Sequence, residues 1–176
     1  MKRLKDNVTI ITGAGKGIGF GVASAFAKEG SNLVITGRNE NILLEAKAKL
    51  EKEYGVKVLA LVADGADEEK IKEVIAKTVA TFGKINTLIN NAQASKSGLS
   101  LIEHTKEDFD LAIYSGLYAT FFYMREAFPY LKESKGLQNS LFGVRYLLDY
   151  RQNLQHYISN AQVAEKDTDC TVLENT

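Results

Sequence analysis

Val8-Thr9-Ile10-Ile11-Thr12-Gly13-Ala14-Gly15-Lys16-Gly17-Ile18-Gly19 is the stretch on which the reading of this chain turns. A β-branched apolar run of this length reads as a strand buried on both faces, and it passes without a spacer into alternating glycines. Five of the chain's 14 glycines lie between Gly13 and Gly21. Helical periodicity then runs to about Glu29, and Gly30 fits a helix end. A strand, a bare glycine turn and the start of a helix bring unpaired backbone N–H groups and a partial positive charge to one point. Such a point suits a pyrophosphate.

Outward from this unit the pattern repeats. Asn32-Leu33-Val34-Ile35-Thr36 reads as a second strand, followed by Leu43, Ala46, Leu50 and Tyr54 at helical spacing. Val56 to Ala63 reads as a third strand, and Ile71, Val74, Ile75, Val79 and Phe82 form a helical stripe stopped by Gly83. Asn86-Thr87-Leu88-Ile89-Asn90 reads as a fourth strand. A long helix is then expected, capped by Thr105 with Asp108, its apolar face running Phe109, Ala112, Ile113, Leu117, Met124, Phe128 and Leu131. Pro129 is expected to kink or shorten it. Strand-helix alternation predicts an α/β fold, a Rossmann-type doubly wound parallel sheet with helices on both faces.

The character changes after Gly136. Residues 1–136, the expected dinucleotide-binding domain, carry net charge +2, and residues 137–176, a divergent C-terminal segment, carry −2. Leu137-Gln138-Asn139-Ser140-Leu141 is a poor candidate for a doubly buried strand, so no fifth strand is expected and one edge of the sheet would be bare. A helix is expected over about 141–158, then a polar tail.

Composition closes other classes. The 176 residues hold 22 basic and 22 acidic side chains, which disfavours electrostatic nucleic-acid binding. One Cys (Cys170) precludes an intrachain disulfide, and with only two His a structural zinc site is not expected. No apolar run approaches the ~20 residues of a membrane span, and the charged N-terminus meets a glycine loop rather than a signal-peptide core. A cytoplasmic location is the default expectation.

The second strand ends Thr36-Gly37-Arg38-Asn39, with no carboxylate before Glu40. An acidic residue there would hold ribose hydroxyls, whereas the planar fork of Arg38 suits a 2′-phosphate, and Lys16 adds positive charge. The reading is therefore NADP rather than NAD, with solvated surface cations as the alternative.

Thr12-Gly-x-x-x-Gly-Ile-Gly19, Asp64 after the third strand and Asn90-Asn91-Ala92 ending the fourth resemble the short-chain dehydrogenase/reductase family over roughly residues 5–136. The resemblance implies a Rossmann-type sheet with NADP across its carboxyl edge. It places the pyrophosphate on Gly13, Gly15, Lys16, Gly17, Ile18 and Gly19, and the 2′-phosphate on Arg38 and Asn39. Asp64 would bond the adenine, with Asn91 and Ala92 beside the nicotinamide ribose. Asp64 as a turn residue and Asn90-Asn91 as a plain strand exit remain open alternatives.

The chain departs from the family pattern in three places. Gln93 stands where the family has Gly, and the family's catalytic Asn position falls on Gly116, with Ser115 beside it. No Tyr is followed four residues later by Lys, and the Ser expected upstream is missing, so no catalytic residue is assigned. The resemblance implies an oxidoreductase moving hydride between NADP(H) and a small alcohol or carbonyl, with self-association through the long helix. A non-catalytic NADP-binding or partner-binding module, or an inactive truncated family member, remains the alternative.

Overall fold

The computed structural model describes residues 2–96 and 98–135, and the backbone of residues 137–140. The helix expected at 141–158, Cys170 and the polar tail lie outside the described residues. Four strands form where the apolar runs require them: β1 (Val8–Thr12), β2 (Asn32–Gly37), β3 (Val58–Val62) and β4 (Thr87–Asn90). The third strand is shorter than the expected 56–63 span, and its burial falls away toward an exposed Val62, as suits an edge position.

A fifth strand, β5 (Leu137–Ser140), corrects the expectation that none would form. All pairings are parallel, in the spatial order β3-β2-β1-β4-β5. Thr87 aligns with Leu137 and Asn90 with Ser140, so β4 does not present the bare edge that the sequence suggested. The backbone of β4 needs hydrogen-bonding partners on both sides. Four residues of low strand preference meet that need because pairing depends on the neighbour more than on propensity.

Helices cover both faces. On one, α1 (Gly17–Lys28) and α2 (Glu40–Tyr54) pack Ala23, Ala27, Leu43, Ala46 and Leu50 against Ile11, Leu33, Ile35 and Ile89. On the other, Ile71, Val74 and Ile75 of α3 (Glu68–Phe82) share a core with Val8, Ile10, Val34 and Leu88. Left-handed Gly55 and Gly83 end α2 and α3, at φ 68° and 76°.

The long helix is a composite. It comprises α4 (Lys106–Ala112), a π-helical turn at Ile113–Tyr118 and α5 (Ala119–Glu133). Thr105 and Asp108 form the expected reciprocal cap, with Asp108 N–H donating to Thr105 Oγ1 at 3.3 Å and Thr105 N–H donating to Asp108 Oδ2 at 3.1 Å. The expected apolar face is corrected. Phe109, Leu117 and Phe128 are 63%, 52% and 53% exposed, while Gly116, Ala119, Tyr123, Ala127 and Leu131 are buried. The π turn alters the helical phase, and small residues at 116, 119 and 127 let the rod approach the sheet. Pro129 does not shorten α5, which runs four residues further. Pro129 and Arg125 lie on the exposed side, where water can satisfy the carbonyl that loses its intrahelical donor.

Candidate functional site

The carboxyl ends of β1 to β4 lie side by side, and the order β3-β2-β1-β4 reverses direction at β1 and β4. Open α/β sheets hold ligands in the crevice at such a reversal. Gly13 turns out of β1 at φ 67° and Gly17 enters α1 at φ 59°, a region unfavourable to side chains. No side chain caps α1 at Lys16, so its first turn presents backbone N–H groups outward. Ile18 stands 62% exposed beside this turn.

Two of the glycines are required by close approach. A Cβ on Gly19 would lie 2.3 Å from the Gly13 carbonyl oxygen and 2.5 Å from Asn91 Nδ2. One on Gly15 would lie 2.8 Å from Ile42 Cγ2, so the loop is pressed against the start of α2.

Thr12 ties the loop to the end of β4. Its Oγ1 accepts the Asn91 and Ala92 N–H groups at 3.0 and 2.9 Å. Asn91 Nδ2 donates in return to the Thr12 carbonyl at 2.9 Å and the Gly13 carbonyl at 3.3 Å. Asn91 and Ala92 are therefore packed directly on the glycine loop, and Gln93 beyond them is exposed.

Ala14 N–H donates to the Thr36 carbonyl, joining the loop to the end of β2. There Arg38 is exposed and has no ion-pair partner among the described residues. Asn39 caps α2, its Oδ1 accepting the Ile42 N–H at 3.1 Å. That carbonyl oxygen is committed to the helix, and its amide nitrogen is what Asn39 has left to offer a ligand. Ala63 N–H donates to the Gly37 carbonyl, so Arg38 and Asp64 leave neighbouring strand ends. Asp64 is exposed and closes its own turn, Oδ1 accepting the Ala66 N–H at 3.0 Å. Its turn role is real, and one carboxylate oxygen stays available.

Three features of this region appear only in the fold. Tyr123 is buried under the strand ends, with its hydroxyl 3.5 Å from Thr36 Oγ1. Burial pushes its phenol up to about 12, and the nearby Asp64 charge acts in the same direction. Asn90 Oδ1 is buried with no hydrogen-bond partner among the described residues. Ser115, inside the π turn, bonds the segment after β4, accepting the Ala94 N–H at 2.8 Å. Of these, Ser115 had a signal in its nearness to the family's Asn position and Asn90 in the Asn90-Asn91-Ala92 motif, whereas Tyr123 had none.

The family model for short chain dehydrogenases matches residues 7–137. A 12alpha-hydroxysteroid dehydrogenase of a Clostridium species is 59% identical over 135 residues, covering 73% of this chain and 52% of that protein. General stress protein 39 of Bacillus subtilis is 33% identical, over 78% of this chain and 48% of its own. The chain thus spans about half the length of the curated relatives it matches. Among solved structures, L-sorbose reductase of Gluconobacter frateurii, complexed with NADPH and L-sorbose, superposes with a TM-score of 0.78 at 25% identity, over 94% of this chain and 63% of that one. NAD+-bound xylitol dehydrogenase gives 0.75 at 25% identity, over 79% and 54%. Among the described residues, no helix is long and apolar enough to cross a membrane.

Proposed function

The chain belongs to the short-chain dehydrogenase family, and from that premise we propose that it binds NADP(H) along the carboxyl ends of β1 to β4. The observation that carries this reading is the pairing of an uncapped α1 N-terminus with Arg38, a cation lacking a carboxylate partner among the described residues. The first turn of α1 suits a pyrophosphate, and the guanidinium fork suits a terminal phosphate. Lys16 adds charge at the loop, the Asn39 amide adds a donor beside Arg38, and Asp64 keeps an acceptor for an adenine amine. Solved relatives with NADPH and with NAD+ are both similar to this chain, so Arg38 is what tilts the assignment to NADP.

The bound nicotinamide would supply or accept hydride; the protein's part is to hold and orient it. The reaction proposed is interconversion of a small secondary alcohol and its carbonyl. A hydroxysteroid is the first substrate to test, given the 59% identical relative. A second reading, a cofactor-binding module without proton transfer, is favoured by a different observation. No Tyr in the chain stands four residues before a Lys, and burial moves the Tyr123 phenol to about 12, further from neutral pH than an ordinary Tyr. We further propose a second copy of the chain as the partner of the exposed apolar side of the 106–133 rod, which sedimentation of wild type against Phe121→Glu tests.

The deciding experiment is a fluorescence titration of the purified chain with NADPH and NADH. Saturable binding that favours NADPH supports the reading, and turnover of a hydroxysteroid then separates enzyme from binding module. Folded protein that binds neither nucleotide overturns both.

A further inference from the structure

The segment after β4 leaves Thr12 at Ala92 and runs to the 106–133 rod, with Gln93 exposed and Ala94 half-buried. Two side chains of the rod meet it: Asp108 pairs with Lys96 at 3.6 Å, and Ser115 reaches the backbone of Ala94. Ser115 Oγ accepts the Ala94 N–H at 2.8 Å, and its single proton serves the Leu111 carbonyl at 2.7 Å or the Ala94 carbonyl at 3.0 Å. The hydroxyl thus accepts from Ala94 in either case, and its one proton goes either to its own helix or to the Ala94 carbonyl.

The helix is distorted where this happens. Ile113–Tyr118 is a π-helical turn between two α-helical segments, a form that is rare and often found at functional sites. The turn after β3 meets the rod in the same place: a Cβ on Gly65 would lie 2.7 Å from Ala119 Cβ and 3.5 Å from the Ser115 carbonyl. Ser115 therefore stands where the rod meets the turns after both β3 and β4. A helix hydroxyl ordinarily turns back on the carbonyl four residues earlier, as half-buried Ser115 does with Leu111; its acceptance of the Ala94 N–H, 21 residues away, is an added contact.

We propose that Ser115 is a positioning residue which fixes the Asn91–Ser95 segment as the wall beside the nicotinamide half of the bound cofactor. The proposal rests on the cofactor reading above. Thr12 holds the near end of that segment and Ser115 the far end, so the backbone between them is preset before the ligand arrives. Preorganisation of this kind raises affinity by removing an ordering cost, and the adenine half of the ligand, on Arg38 and Asp64, does not depend on it.

The test uses the full chain as wild type, Ser115→Ala and Ser115→Thr, titrated with NADPH and with adenosine 2′,5′-bisphosphate, which lacks the nicotinamide half. Ser115→Ala should weaken NADPH about three- to tenfold, the worth of one to two hydrogen bonds, and leave the bisphosphate unchanged. Ser115→Thr, which keeps the hydroxyl, should restore NADPH binding. Amide hydrogen exchange should rise at Ala94 in Ser115→Ala while β1 and α1 stay as in wild type. Equal weakening of both ligands would make Ser115 merely structural, and unchanged NADPH binding would dismiss it; either overturns the proposal. Wild type that binds neither ligand is a different failure, one of the cofactor reading and of the proposal built on it.

Discussion

Asn91 donates twice to Thr12, through its backbone N–H to Oγ1 at 3.0 Å and through Nδ2 to the carbonyl at 2.9 Å. The two residues are 79 positions apart, at the ends of adjacent parallel strands. Their bonds set the glycine loop against the segment after β4, the pair of loops between which we place the cofactor.

Thr12→Val keeps the shape and removes the acceptor, leaving the Asn91 and Ala92 N–H groups unpaired in a partly buried place. The expected cost is ~2 kcal/mol of stability, read from urea unfolding. Thr12→Ser should recover most of it. A Val variant as stable as wild type would mean that water satisfies both donors.

Gly19→Ala and Gly21→Ala differ by two positions in one helix and should act in opposite directions. The new methyl at 19 meets the Gly13 carbonyl oxygen at 2.3 Å, and the one at 21 meets nothing within 4 Å. We expect Gly19→Ala to cost ~2 kcal/mol or more, with loss of nucleotide binding. Gly21→Ala should stabilise by about 0.5–1 kcal/mol, because alanine loses less backbone freedom in a helix. Thermal melts of the two variants check the contrast.

Arg38→Ala should lower affinity for NADPH by ~10- to 100-fold, the range of a charge-assisted contact to phosphate, and change NADH binding little. The ratio of the two dissociation constants is the readout, and rising salt should erode it in wild type only. An unchanged ratio would assign Arg38 to the solvent.

Tyr123 makes a pH prediction whose sign is fixed. Its folded pKa is raised to about 12 from an ordinary 10. Below pH 10 both folded and unfolded chains keep the proton, so stability does not depend on this group. Between about 10 and 12 the unfolded chain ionises first, and stability falls as pH rises. The loss should approach ~2–3 kcal/mol near pH 12. Tyr123→Phe should flatten this step in chemical unfolding curves recorded from pH 9 to 12, whatever its effect at neutral pH.

Legibility differed among elements for identifiable reasons. β1, β2 and β4 were readable because short continuous runs of apolar and β-branched residues, Val8–Thr12, Leu33–Thr36 and Thr87–Ile89, fit a doubly buried strand. The Thr105 cap was readable because a reciprocal cap is made within four residues. The apolar face of the long helix was not, because counting by helical period assumes an unbroken helix, and the π turn shifts the phase between Phe109 and Leu131. The Arg38 and Asn39 pair was legible as a charge pattern, but the commitment of Asn39 Oδ1 to Ile42 N–H appears only once α2 is in place.

By itself the sequence determined the strand-glycine-helix unit, the alternation that makes the sheet parallel, and the chemistry available at its carboxyl edge. These follow from local sterics and from side chains a few residues apart. Tertiary structure alone decided that Leu137–Ser140 becomes a strand, that Thr12 and Asn91 share their hydrogen bonds, and that Ser115 holds Ala94. Each of these joins groups between 21 and 79 residues apart. A backbone donor or acceptor must find a partner when water is excluded, and the fold, not the local pattern, decides which one is in reach.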